Sequence, residues 1–296
     1  MLINRTNLSD TFVGFKTIFN DAFNTAESEY QRVAMDVPSA TSEEDYKWMG
    51  KTTRFRKWLG DRVIQNLSAH SYVIKNEPFE NTVGVDRDDI EDDKLGVYKP
   101  MIQQLGYDAK THPDELIFPL LSNGFGTLCY DGQNFFDTDH PVLEADGSTV
   151  SVSNMQTGSQ TPWFLLDTSK PIRPFLFQKR RDYDFVAMDT PDDEAVFSRK
   201  EFRYGVDCRV AAGYGLWQMA FGSKLELNET NLAAALAAMR SIKGDQGKPL
   251  NIKPTLLVVP PSLEYTARKL LQAEQIGGTT NVLRNAAELL STAWLA

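Results

Sequence analysis

The residues best suited to chemistry lie in the stretch Phe135-Phe136-Asp137-Thr138-Asp139-His140-Pro141. Asp137, Asp139 and His140 bring two carboxylates and an imidazole together within four positions. Such a set could hold a divalent metal, or serve as acid and base in a metal-dependent hydrolase. Neighbouring residues of one loop seldom point at one ion, however, and the sequence offers no second cluster of ligands. The other two histidines, His70 and His112, stand in polar surroundings. The bland reading is a structured loop whose aspartates make turns through their own side chains. It is the reading adopted here, so no residue is assigned a catalytic, cofactor-binding or metal-binding role.

Other chemical signatures are weaker still. Asp86, Asp88, Asp89, Glu91, Asp92 and Asp93 offer many oxygens to a hard cation but lack the spacing of a calcium loop. Carboxylates crowded in this way suit the positive end of a helix dipole. Cys129 and Cys208 form no CxxC pair, and neither sits in a nucleophile motif. There is no Gly-x-Ser-x-Gly, no Walker loop and no dinucleotide fingerprint, and Gly277-Gly278-Thr279-Thr280 is too short a phosphate signal. The one compact basic run, Lys179-Arg180-Arg181, is followed at once by Asp182 and Asp184. Nothing here makes an enzyme, and no cofactor is expected.

The elements that would position these residues read as α+β. Phe12, Phe15, Phe19, Phe23 and Ala26 fall at helical spacing, with Ser9 or Asp10 as cap. So apolar a stripe is expected to dock on another subunit or on a long helix of its own chain. Val37 to Ser42 reads as a small-residue linker, and Glu43 to Gly50 as a short helical or irregular piece. From Arg54 an extended ribbon follows. Tyr72, Val73 and Ile74 are strand formers, Asn76-Glu77-Pro78 is turn chemistry, and Phe79, Val83 and Val85 share a face. It is too polar to build a core of its own, so it needs another surface to lie on, and a neighbouring copy of the chain is the expected one. Between Val97 and Gly124 one long kinked helix, or two nearly collinear ones, is expected around Pro100, Pro113 and Pro119. Short strands are expected at 163–166, 172–178, 185–188, 202–211 and 255–259. Helices are expected after the Asn228 cap and from Ser262 to about Gln272, and no βαβ alternation is seen.

Composition agrees with a large folded protein. With 296 residues, 42% apolar and 24% charged, the chain can bury a sizeable core without disulfide staples. No window approaches the ~18 apolar residues of a membrane span, and the first ten residues lack the hydrophobic run of a secretory signal. The formal charge of −9 argues against a surface built to neutralise phosphates. It does not exclude enclosing nucleic acid, because a container wall gains from not adhering to its contents.

Several signatures, taken in order, carry a resemblance. They are Trp58-x-Gly60-x-Arg62, NEPFENTVGVDRDDIEDD, the CYDGQNFFDTDHP loop, NLAAALAAMRSIKGDQGKPLNIKPTLLVVPPSLEYTARKLL, NVLRNAAELL and the closing AWLA. As a set they span most of the chain from Phe12 to Ala296, and the chain resembles the major head subunits of Mu-like phages and prophages.

The resemblance implies the Hong Kong 97-type tailed-phage capsid fold and a structural, non-catalytic role. It divides the chain into an N-terminal arm (1–53), an extended loop (54–85), a spine helix with peripheral domain (86–160), and a mainly axial domain with strands returning to the periphery (161–296). The partners it implies are further copies in hexamers and pentamers, a scaffold, a portal and decoration proteins. The shell would enclose double-stranded DNA without sequence-specific binding or membrane contact. It would be assembled in the host cytoplasm and carried in the virion. Because the chain begins directly with the arm, the scaffold is expected to be separate or already removed. Lys51, Lys57 and Lys75, in or near the loop, read as solubilising. A nanocompartment shell enclosing cargo proteins is the alternative on the same fold.

Overall fold

A computed structural model describes residues 2–49, 72–144, 146–190 and 193–296. Helix α1 spans Arg5–Thr25, and its cap is Asn4, whose Oδ1 accepts from the Asn7 N–H at 2.8 Å. Ser9 and Asp10 lie inside the helix, because Asn4 already satisfies the open first turn and nothing after it interrupts. Phe15 and Phe19 are buried, with Phe12 and Phe23 half-buried beside them. All four dock within the chain, against the sheet and the spine helix described below.

Strand β1 (Ala34–Pro38) takes in the first two residues of the expected linker. Strand β2 (Glu43–Asp45) stands where a helical or irregular piece was expected, because it finds its backbone partners in β3 (Val73–Lys75). After Asn76 the chain runs straight on into β4 (Glu77–Asp86) instead of turning. Asn76 is buried, its amide donating to Ser39 Oγ at 2.8 Å and the Thr41 carbonyl at 3.0 Å while its Oδ1 accepts from Gln178 at 2.8 Å. Tertiary hydrogen bonds have taken over the groups a turn would have used. Pro78 is tolerated because β4 is an edge strand. Residues 54–71 of the ribbon, with Lys51 and Lys57, lie outside the described residues.

Asp86 caps the short helix α2 (Arg87–Glu91), accepting from the Asp88 N–H at 2.7 Å. The spine follows as α3 (Lys99–Ile117) and α4 (Pro119–Asn123), joined through Phe118, whose φ and ψ of −63° and −37° keep the two nearly collinear. Next come the hairpin β5 (His140–Leu143) and β6 (Thr149–Val152), then β7 (Met155–Gln156) and β8 (Trp163–Leu166). The expected runs at 172–178 and 185–188 are one strand, β9 (Phe175–Met188); its polar centre is carried by pairing with β10 across a shift in register. After α5 (Glu194–Arg199), the 14-residue β10 (Glu201–Tyr214) lies between β9 and β4.

Strand β11 (Ala220–Ser223) precedes α6 (Glu229–Ser241), capped as expected by Asn228 at 2.9 Å from the Asn231 N–H. The pair β12 (Lys243–Gly244) and β13 (Lys248–Pro249) leads to β14 (Leu256–Val259) and α7 (Glu264–Gln272). A small hairpin of β15 (Gln275–Ile276) and β16 (Thr279–Thr280) turns through Gly277 and Gly278, both at positive φ, before β17 (Glu288–Ser291). Strands β14 and β17 are parallel neighbours, so β14–α7–β17 is one β-α-β crossover in a chain where none was expected.

The two larger sheets among the described residues are ordered β1-β9-β10-β4 and β17-β14-β8-β11-β7. The larger core surrounds the second sheet, α6, α7 and the C-terminal part of the spine. A smaller core lies between α1, the first half of α3 and the outer halves of β4, β9 and β10. The class is α+β, with β9 and β10 running through both cores.

Candidate functional site

Asp137, Asp139 and His140 do not converge. Asp137 is spent on its own loop: one carboxylate oxygen accepts from the Asn134 backbone and side chain at 3.1 and 3.0 Å, the other from the Thr138 N–H at 2.7 Å. Burial opposes its charge, but those backbone donors hold the carboxyl below the usual range. This is the Asx-turn chemistry expected from the sequence. Asp139 is exposed and is pushed up by the Asp137 carboxyl with which it shares a hydrogen bond. His140, on β5, turns away from both into the core, where it has no exposed surface.

There His140 lies flat on Trp217, with ring centroids 4.0 Å apart and planes at 9°. Its Nδ1 is 2.8 Å from Asp131 Oδ2 and its Nε2 3.2 Å from Asn154 Oδ1. The orientation of Asn154 follows from its surroundings: its amide donates to the Phe135 carbonyl at 2.8 Å while its Oδ1 also accepts from the Asp137 N–H at 2.9 Å. Both ring nitrogens therefore face oxygens of buried or half-buried side chains, and the ring is held between them. Asp131 Oδ1 accepts from Cys129 Sγ at 3.1 Å and from the Gln133 N–H at 3.1 Å. Burial works against the Asp131 charge, yet the hydrogen bonds from His140 and Cys129 outweigh it and lower its pKa.

Cys129, Asp131 and His140 present ligand atoms within 4.8 Å of one another, a set that sequence spacing did not bring together. As a nucleophilic site it has the wrong order, because the carboxylate stands between thiol and imidazole where the base should touch the thiol. As a metal site it would need a thiolate, and burial, then the Asp131 charge, push the Cys129 thiol well up. Both Asp131 oxygens are already engaged. The cluster is a hydrogen-bonded knot that ties the turn around Asp131 and the buried Asn154 to β5 and Trp217.

The acidic run is a helix start paired with cations of its own chain. Lys94 reaches Asp92 at 2.8 Å and Asp89 at 3.8 Å, and Arg87 meets Glu91 at 3.0 Å. These pairs are exposed and contribute little. No described helix is long and apolar enough to cross a membrane.

What remains distinctive is shape: a long edge strand, a spine helix laid across a sheet, and two cores threaded by the same strands. A family model described as the Mu-like prophage major head subunit gpT matches residues 8–295. The chain belongs to the Mu-like major head subunit family. It is 44% identical over 288 residues to the major capsid protein of Escherichia phage Mu, covering 95% of this chain and 94% of that one. It is also 44% identical over 270 residues to the Mu-like prophage FluMu major head subunit of Haemophilus influenzae, covering 89% and 88%. Among solved structures, the procapsid of bacteriophage JBD30 matches with a TM-score of 0.89 and 43% identity over 99% of this chain and 100% of that one. The JBD30 capsid matches at 0.79 and 36% identity, covering 94% of each. The fold is thus the Hong Kong 97-type capsid fold, and the head subunit is a structural component of the virion, not an enzyme. The cargo-shell alternative gives way to the phage-head reading, since the match to Mu-like heads runs almost from end to end.

Proposed function

We propose that the head subunit assembles with copies of itself, through hexameric and pentameric capsomers, into an icosahedral shell that encloses double-stranded DNA. The observation that carries this reading is the agreement of nearly the whole fold with a procapsid subunit. Residues 1–53 act as the N-terminal arm, 54–85 as the extended loop reaching a neighbour, and 86–160 as the spine and peripheral domain. Residues 161–296 form mainly the axial domain, with strands returning to the periphery. Head-to-tail contacts of the loop close into rings, and rings tile a shell. A net charge of −9 lets packed DNA slide along the wall instead of sticking.

A scaffold and a portal act with the subunit during assembly in the host cytoplasm, and minor capsid protein trimers of the kind that decorate the JBD30 capsid dock on the finished shell. No residue is catalytic, and no metal or cofactor is needed. The test is electron microscopy and sedimentation of purified subunit, alone and with co-expressed scaffold. Closed shells built of six- and five-fold rings are expected. Small soluble oligomers under every condition would sink the reading, and native particles filled with protein instead of DNA would return it to a cargo shell.

A further inference from the structure

A cleft of about 320 Å³ lies where the spine helix crosses the β4–β10 edge of the first sheet. Its floor is aromatic, formed by Phe79, Tyr183 and His112, with Trp294 from the C-terminal turn at its side. The floor is fixed in place. His112 meets Phe79 edge-on with centroids 4.5 Å apart, and His112 Nδ1 is 2.6 Å from the Tyr183 hydroxyl. Its rim is acidic, with Glu80 from β4, and Asp108 and Glu115 from α3. None of these three carboxylates forms an ion pair among the described residues; Glu80 accepts only from Thr82, and Asp108 from Gln104. An apolar aromatic floor beneath unpaired carboxylates fits a cationic side chain lying on aromatic faces, or an aromatic ring flanked by cations.

One stretch of this chain has that chemistry. Residues 51–62, KTTRFRKWLGDR, carry Lys51, Arg54, Arg56, Lys57 and Arg62 against the single carboxylate of Asp61, interleaved with Phe55 and Trp58, in a chain whose net charge is −9. Tyr72, the first described residue beyond that stretch, lies away from this chain's own cleft. Tyr72 is bonded to Tyr214, whose N–H donates to its hydroxyl at 3.0 Å. Phe79 pairs with Cys208 in the cleft, six residues back along β10, which is about 20 Å at ~3.3 Å per residue. The backbone bond from the Tyr46 N–H to the Tyr72 carbonyl, at 2.9 Å, brings the chain before residue 51 to the same remote end.

We propose that this cleft is the seat on each head subunit for residues 51–62 of a second copy, with arginine and lysine meeting the Glu80, Asp108 and Glu115 rim and an aromatic ring entering over Phe79 and Tyr183. The proposal rests on reading residues 54–85 as an intersubunit arm, and it names the surface that receives the arm.

The test places a benzophenone amino acid at Asn81, a neutral lining position, and assembles particles from an equal mixture of light and heavy-isotope chains. After irradiation, cross-linked peptides from residues 51–62 carrying mixed labels are expected. Cross-links confined to one label, to another segment or to nothing overturn the seat. In parallel, Glu80→Lys with Glu115→Lys should lower particle yield at least tenfold in low salt with subunit melting unchanged, and Arg54→Glu with Arg56→Glu should restore it. If the rim reversal has no effect while deleting residues 51–62 blocks assembly, the arm stands and the seat is wrong. If that deletion still gives normal shells, the arm reading itself fails and takes the seat with it.

Discussion

His140 lies face to face with Trp217, at 4.0 Å, with Asp131 and Asn154 on its two nitrogens. Three contacts of different kinds converge on one buried ring, so its loss should be felt in the fold and not in any reaction. His140→Phe keeps the stack but takes the ring nitrogens away from Asp131 Oδ2 and Asn154 Oδ1. A cost of about 1–3 kcal/mol is expected from leaving a buried carboxylate oxygen without its ring partner, read as a lower urea midpoint of dissociated subunits. Asp139→Asn, at an exposed position one residue away, should leave that midpoint where it was. Equal effects of the two substitutions would refute the knot.

The same cluster predicts a pH dependence. The Asp131 carboxyl is lowered in the folded chain, while unfolded it titrates near ~3.9. The unfolded state therefore binds its proton first as pH falls, and the stabilisation is full above that value. It disappears as pH drops through the folded pKa. The gap in urea midpoint between the parent and Asp131→Asn should be widest at neutral pH and should shrink in acid. A gap that grows in acid would reverse the assignment.

Helices α1 and α3 cross at Gly106, where an added Cβ would stand 2.5 Å from the Phe19 carbonyl oxygen and 3.1 Å from the Phe23 nitrogen. Backbone cannot give way as a flexible side chain can, so Gly106→Ala should force the helices apart. We expect a loss of about 1–3 kcal/mol, the range for an overpacked contact, despite the better helix propensity of alanine. A thermal scan showing the variant equal to or above the parent would disprove this crossing.

Removing residues 2–26 should destabilise the isolated subunit as well as impair assembly. Phe15 and Phe19 are buried against Tyr204 and Phe185, with centroids 5.0 and 5.1 Å apart. Each such ring contributes roughly 1.5–3 kcal/mol. Calorimetry of dissociated subunits decides the point, and unchanged melting would mean the stripe docks elsewhere.

Asp114 on the spine carries the next segment. It accepts from Ser28 Oγ at 2.9 Å and from the buried Tyr30 N–H at 2.6 Å. Asp114→Ala leaves that N–H without a partner, at a cost of about 1–3 kcal/mol. Faster hydrogen exchange at Tyr30 and Val33 should accompany it, and unaltered exchange there would show that the anchor is elsewhere.

Local pattern made the helices and most strands legible. Asn228, the apolar spacing of the spine and the acidic start at Asp86 are signals carried within a few residues. What escaped was set at long range. Asn76 carries turn chemistry but is buried against Ser39 and Gln178, which no local window contains. Residues 43–45 have no strand character of their own and acquire it from residues 73–75. The knot was half visible: His140 stood out by type, but its partners Asp131, Asn154 and Trp217 sit 9, 14 and 77 positions away. Membership of a capsid family was legible from ordered signatures, whereas the direction in which His140 faces was not.

The docking of Phe15 on Tyr204 also sets a timetable for synthesis. A ribosome must add nearly two hundred residues after the first ring before the second exists, roughly 10–40 s at ~5–20 residues per second. Throughout that interval the phenylalanine stripe has at most the spine helix to lie on, and β1 and β4 wait as well for β9 and β10. The outer core closes only when most of the chain has been made. A truncated product therefore lacks the outer core altogether, and the order in which the chain is written decides that an incomplete copy is also an unfolded one at that end.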